Sequence, residues 1–132
     1  AGIVIRMLPS SETWIWCRKS QISQVLLNLL SNSADAIENL DDKWVQIEVL
    51  SADGKVQIVI TDSGNGIPAD VVEKMMQPFF TTKEVGKGTG LGLSISKGII
   101  DDHKGQLIYN SKSPNTQFVI SLPIHLKKDH NS

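Results

Sequence analysis

Three stretches of the chain carry residue types whose spacing suits phosphate and metal chemistry. The first lies between Ser20 and Leu40, where Gln21, Gln24, Asn28, Asn32, Asp35 and Asn39 fall on one side of a helical wheel. From Ser20 to Ala34 this face holds no charged side chain, whereas a solvated helix face is normally filled with Glu, Lys and Arg. Asn is a poor helix former, so Asn28 and Asn32, one turn apart, cost stability unless their amides are used. An amide oxygen is a hard, neutral ligand suited to a magnesium ion that brings its own phosphate ligands. A solvated polar face stands as the alternative. The second stretch, Asp62 to Pro68, is glycine-rich and directly follows the strand-like Ile58 to Thr61. Its glycines allow close backbone approach, and Asp62 can accept from a donor such as an exocyclic amine; the alternative is an ordinary turn with Asp as a local acceptor. The third, Gly86 to Leu93, runs into a helix, where backbone N–H groups at a helix start can cradle phosphate. It lacks both the P-loop lysine spacing and the dinucleotide fingerprint after a strand. Lys83 and Lys87 are the cations near it, and a flexible linker is the competing explanation.

These residues need a scaffold, and the hydrophobic pattern describes one. Ile3 to Leu8 and Thr13 to Cys17 read as strands. Ile22, Val25, Leu26, Leu29, Ser33, Ala36, Ile37 and Leu40 recur at three and four, giving one apolar helical stripe capped by Ser20. Trp44 to Leu50 and Lys55 to Thr61 alternate as a hairpin, because Asp53-Gly54 supplies the positive φ angles of such turns. A short helix runs from Pro68 to about Met76, with Pro in its first turn and Val71, Val72, Met75 and Met76 as apolar contacts. Gln77 to Gly90 has no period. A third helix runs from Leu91 to about His103 and ends at Gly105, and Gln106 to Ser111 and Gln117 to Leu122 are the last strands. The fold class is α+β: a two-layer sandwich of one mixed, mainly antiparallel sheet with about three helices on one face.

The chain of 132 residues accommodates one domain, residues 1–126, with a frayed tail at 127–132. Thirteen basic residues against fourteen acidic ones give a net charge of −1, which argues against binding nucleic acid or an anionic membrane through bulk charge. Any polyanion held here is small and locally gripped. A single Cys17 excludes an intramolecular disulfide and a multi-thiolate zinc site; burial on a strand is the expectation for it. His103, His125 and His130 have no metal-ligand spacing. No apolar stretch approaches the ~18 residues of a spanning helix, and nothing resembles a signal peptide. The expectation is a soluble, cytoplasmic piece of a longer protein, itself free of membrane contact even if the whole is a membrane-anchored sensor.

Taken together and in order, the three stretches resemble the ATP-binding catalytic domain of bacterial sensor histidine kinases, within the superfamily shared with gyrase, heat-shock chaperones and MutL. Asn28 to Ile37 is similar to the N box, Asp62 to Ile67 to the first glycine box, Gln77 to Lys83 to the F box, Gly88 to Leu93 to the second glycine box, and Asn115 to Pro123 to the closing strand. Asp35-Ala36 and the Phe79-Phe80-Thr81-Thr82-Lys83 string look most like the nitrogen-regulation branch. The resemblance implies ATP and Mg2+ as ligands. It implies that Asn32, with Asn28 beside it, coordinates the magnesium, and that Asp62 accepts from the adenine amine. Gly66 would let the base lie against the backbone, with Gly64 and Ile67 in the same box. Gly88, Thr89, Gly90, Leu91, Gly92 and Leu93 would form the phosphate loop, Thr116 would stand near the Asp62–adenine contact, and Gln77 to Lys87 would be a lid carrying Phe80, Thr82 and Lys83.

There are departures from the pattern. Ser33 stands where the family usually has Ala, a change expected to be tolerated. Asn115 replaces the usual Gly, and Asn tolerates positive φ. Asp35 occupies a place where many such kinases carry a phosphate-facing cation; Lys83 is the expected substitute. None of the three histidines has the setting of a phosphoacceptor, and His103 reads as a helix-capping residue. The implied partners are an upstream helical dimerisation and phosphoacceptor domain and a response regulator receiver domain. The fragment alone is expected to be a monomer and the full kinase a homodimer. The competing functions are an ATP-hydrolysing clamp, an anti-sigma-type serine kinase and a non-enzymatic nucleotide sensor. The clamp enzymes place a Glu one helical turn before the magnesium Asn, where this chain has Asn28.

Overall fold

A computed structural model of the chain describes residues 4–7, 19–77 and 92–123. Along the sequence run β1 (Val4–Met7), α1 (Lys19–Ile37), β2 (Trp44–Ala52), β3 (Lys55–Asp62), α2 (Ala69–Met75), α3 (Gly92–Asp102), β4 (Gln106–Tyr109) and β5 (Gln117–Pro123). The expected strand at Thr13 to Cys17, most of the lid and the tail lie outside the described residues.

The strands form one sheet in the order β1-β2-β3-β5-β4. β1 runs parallel to β2, and every other pairing is antiparallel, which is the mixed sheet the sequence pattern implies. The β2–β3 hairpin closes through Asp53 at φ 56° and Gly54 at φ 75°, with Ala52 opposite Lys55. Two left-handed residues match the twist of the flanking strands, which is why Asp-Gly turns the chain here.

Alternate residues of the ladder face the helices. Val45, Val56, Ile60, Leu107, Phe118, Ile120 and Leu122 form one buried cluster with Ile22, Val25, Leu29 and Ile37 of α1 and Leu93, Ile99 and Ile100 of α3. Helices α1 and α3 pack on each other, α1 also on β2 and β3, and α3 on β4. Met75 and Met76, at the end of α2, pack half-buried against the same core. The sequence reading of α1 is corrected in three places: Ser20 lies inside the helix and does not cap it, Ala36 is exposed, and Leu40 lies beyond the helix end at Ile37. Pro68 occupies the N-cap of α2, one place before the helix. Among the described residues no helix is long and apolar enough to cross a membrane.

At the end of α3 a lysine takes the place that a glycine usually fills. The left-handed residue is Lys104, at φ 61°, and not Gly105. Gly105 N–H donates to the Ile100 carbonyl and Lys104 N–H to that of Asp101, both at 2.9 Å, which is a Schellman ending with lysine at the left-handed position. Gly105 is required for another reason. A Cβ there would run into the Ser121 carbonyl oxygen and the Leu122 side chain, so glycine lets the chain leave the helix directly over β5. His103 caps as expected, its Nδ1 lying 2.8 Å from the Ile99 carbonyl oxygen.

Candidate functional site

The site is built around the end of β3. β3 is buried from Val59 onward, and its last residue, Asp62, is 2% exposed. A carboxylate so far from water needs donors. Three side-chain or backbone donors serve it: Gly64 N–H donates to Oδ1 at 2.8 Å, and the hydroxyls of Ser33 and Thr116 also bond the carboxylate. Burial pushes the Asp62 carboxyl above its ordinary value of 3.8, and the bonds from Gly64, Ser33 and Thr116 oppose that rise. The carboxylate is therefore held as an acceptor in a dry place, where a matching donor gains most.

The turn after Asp62 is tied down residue by residue. Ser63 N–H donates to the Trp44 carbonyl at 3.0 Å, and Trp44 N–H returns a bond to Ser63 Oγ at 3.2 Å. Gly66 N–H donates to Thr116 Oγ1 at 3.0 Å, and Ile67 N–H to the Tyr109 hydroxyl at 2.7 Å. Two consecutive amides of the turn thus rest on hydroxyls from β4 and the start of β5. Two glycines are sterically required. Gly66 adopts φ 96°, and a Cβ on Gly64 would come within 2.8 Å of both Asp62 Oδ1 and Thr116 Oγ1. Tyr109 is itself braced edge-on by Phe118, with ring centroids 5.3 Å apart.

Asn115 does not use the positive φ expected of it; the non-glycine residues with positive φ among those described are Asp53 and Lys104. Its amide instead donates to the Gly64 carbonyl at 3.2 Å, and its own N–H is held by Ser113 Oγ at 3.2 Å. The side chain contributes by bonding the turn.

α1 packs on β3 and brings the second set of residues. Asn32 is half-buried, directly before the buried Ser33 that bonds Asp62. One turn earlier Asn28 donates through Nδ2 to Ser96 Oγ at 3.3 Å. Ser96 is fully buried on α3, so this bond pins α1 to the helix that begins at Gly92. Asp35 is exposed one turn further on. Leu93 is buried, its side chain belonging to the core while its residue sits at the start of α3.

Asp62, Gly64, Gly66, Ile67 and Thr116 therefore converge on one turn, and Asn28 and Asn32 share the helix above it. Phe80, Thr82, Lys83, Gly88, Thr89, Gly90 and Leu91 lie outside the described residues. The sequence reading missed Ser33 as a partner of Asp62, and it missed Ser96 and Tyr109 altogether. Ser33 left a trace: it is a hydroxyl at the i+4 place between Leu29 and Ile37 on an apolar stripe, and a buried hydroxyl needs a partner.

The family described as Histidine kinase-, DNA gyrase B-, and HSP90-like ATPase, HATPase_c, matches residues 17–126. The chain belongs to this family. Among relatives, the C4-dicarboxylate transport sensor protein DctB of Rhizobium meliloti (strain 1021) is 40% identical over 102 residues, covering 77% of this chain and 16% of DctB. The nucleotide-free catalytic domain of histidine kinase ThkA superposes with a TM-score of 0.76 at 31% identity, covering 92% of this chain and 79% of that one. ThkA in complex with response regulator protein TrrA gives a TM-score of 0.73 at 28% identity, over 93% of this chain and 34% of ThkA. The chain spans 12% to 20% of the lengths of the first curated relatives it matches. The α+β fold is that of histidine kinase catalytic domains, and membership of an ATP-binding family is consistent with the cluster around Asp62.

Proposed function

We propose that this HATPase_c domain binds Mg-ATP between α1, the Asp62–Ile67 turn and the start of α3, and donates the γ-phosphoryl group to a histidine on a separate helical domain. The observation that carries the reading is Asp62: a buried carboxylate with three donors of its own, at the mouth of a strand, beside a turn held open by glycine. An ionised carboxylate has about four acceptor sites, so one remains for a ligand donor such as the adenine amine. Gly66 would lie under the base, and Thr116 would hold both the turn and the carboxylate.

The residues on α1 fit a magnesium ion by their donor chemistry. Asn28 commits its amide nitrogen to Ser96, which leaves its oxygen as an acceptor one helical turn from Asn32. Neutral amide oxygens suit an ion that keeps phosphate ligands. Among the described residues no group of three or more His, Cys, Asp or Glu is arranged to hold a metal. Bound there, magnesium would neutralise charge on the phosphates. Asn32 would hold it, with Asn28 beside it. Gly92 and Leu93 would offer N–H groups at the start of α3, together with Gly88, Thr89, Gly90 and Leu91, and Lys83 would add the lid's positive charge.

Transfer is favoured over hydrolysis by Asn28. An amide cannot take a proton from water, and this one is engaged with Ser96. The nucleophile and the base that relieves it of its proton would come from the partner helical domain. A response regulator would then receive the phosphoryl group, as in the class of protein with which ThkA forms its complex.

Calorimetry with adenosine and Mg-ATP tests the assignment. Asp62→Asn turns part of the acceptor into a donor and is expected to weaken both ligands by about 2 kcal/mol or more. Asn32→Ala is expected to spare adenosine and weaken Mg-ATP alone. Equal losses for both ligands in both variants would overturn it.

A further inference from the structure

Ser33 is one residue beyond Asn32 on α1, 6% exposed, and its hydroxyl bonds the carboxylate of Asp62. We infer that Ser33 is a specificity-determining residue: it fixes the Asp62 carboxylate as an acceptor of one orientation, so that bases bearing an exocyclic amine are chosen over those without one. The inference rests on the assignment of Asp62 to the adenine amine.

Asp62 Oδ1 already takes the Gly64 N–H at 2.8 Å, and the Thr116 hydroxyl is shared, since it also receives the Gly66 N–H at 3.0 Å. Gly64 lies in the turn itself, and Thr116 stands directly before β5, where its carbonyl accepts from Asp62 N–H at 2.9 Å. Ser33 is the donor that comes from elsewhere. It stands on a helix of 19 residues whose neighbours Leu29 and Ile37 are buried in the core, so it cannot move with the turn. A carboxylate bonded from the turn and the sheet alone keeps freedom about its own χ2, which is soft for Asp. Bonded also from α1 in the facing layer, it has one orientation, and the remaining lone pair points one way.

Burial makes this bond matter for charge as well as direction. Desolvation favours the neutral carboxyl, and hydrogen bonds to the charged form oppose it. Among the described residues no charged side chain contributes to the shift of Asp62, and the bonds from Gly64, Ser33 and Thr116 are what favour its charged form. A protonated Asp62 would present a hydroxyl to an amine, a donor facing a donor. Because Ser33 adjoins Asn32, the same helix turn that would hold the metal also orients the carboxylate, which would fix base and phosphates in one frame.

The test uses ATP and purine riboside 5′-triphosphate, which lacks the 6-amine, titrated calorimetrically with magnesium into the chain and into Ser33→Ala. The chain itself is expected to prefer ATP by at least about tenfold, the usual consequence of leaving a polar group of the site unpaired. Ser33→Ala is expected to lose about threefold to tenfold of that preference through ATP alone, with the amine-free analogue held within twofold. Thermal unfolding of the variant checks that its fold is intact; alanine matches the space a serine leaves. An equal loss on both ligands would make Ser33 a packing residue and overturn the inference, and so would an unchanged preference. In either case the preference of the unmodified chain would still support Asp62. A chain that binds the two triphosphates equally would overturn the assignment of Asp62 and that of Ser33 with it.

Discussion

Asn28 on α1 donates its side-chain amide to the hydroxyl of Ser96 on α3 across 3.3 Å, and Ser96 is completely buried. The bond joins the helix that carries Asn32 to the helix that begins at Gly92. Asn28→Ala removes that donor from a buried hydroxyl, at an expected cost of about 1–2 kcal/mol in urea unfolding, and abolishes transfer. Ser96→Ala removes the acceptor, but half-buried Asn28 can turn to water. It is expected to cost about 1 kcal/mol or less and to leave Mg-ATP affinity within threefold. Comparable losses of binding in both would mean that Asn28 acts only through its bond to Ser96.

The raised Asp62 carboxyl gives stability and binding opposite dependences on pH. Its folded value lies above the 3.8 of the unfolded chain because burial opposes the charge. The folded state therefore takes up a proton first as pH falls. This group's contribution to stability is least favourable above its folded value and improves as pH falls from there to 3.8. Ligand affinity runs the other way, since the amine needs an ionised acceptor. Asp62→Asn abolishes this contribution to the slope. Urea unfolding and adenosine titration between pH 7 and pH 4, on the chain and the variant, check both; a variant with the unmodified chain's slope in each would contradict the assignment.

Two glycines separate a steric requirement from a conformational cost. Gly64→Ala places a Cβ against Asp62 Oδ1 and Thr116 Oγ1 at 2.8 Å each, so the carboxylate must move. Adenosine affinity is expected to fall tenfold or more, with about 1–3 kcal/mol lost from the fold. Gly98→Ala, within α3, meets nothing within 4 Å and is expected to stabilise by about 0.5–1 kcal/mol without affecting binding. Denaturation midpoints and calorimetry read both.

How far the sequence reveals this molecule depends on the range over which each feature is decided. The Asp53-Gly54 turn, the stripe of α1 and the cap at His103 are local choices, and the pattern of residues shows them. The strand order is not local: β5 lies between β3 and β4, and alternation alone does not say which strands are neighbours. The site divides in the same way. Asp62 and its glycines form a contiguous motif, and the resemblance identified them with Thr116. The bonds that hold the motif and join its neighbouring helices span 42 residues from Ile67 to Tyr109 and 68 from Asn28 to Ser96, and a hydroxyl does not announce its partner at that distance. Gly105 and Asn115 serve in other than their commonest use. Glycine is most often wanted for its φ and asparagine for tolerating one, whereas here the first is wanted for its missing Cβ and the second for its amide.

The central claim is that this domain binds ATP in order to pass on a phosphoryl group and scarcely consumes ATP alone. The direct measurement is transfer of labelled γ-phosphate from Mg-ATP, with phosphate release followed in parallel, in the presence and absence of a helical domain bearing a phosphoacceptor histidine. The prediction is little release by the isolated chain, acid-labile label on the partner's histidine when it is added, and loss of that label in Asn32→Ala. Brisk phosphate release by the isolated chain, unchanged by the partner and with no label transferred, would contradict it.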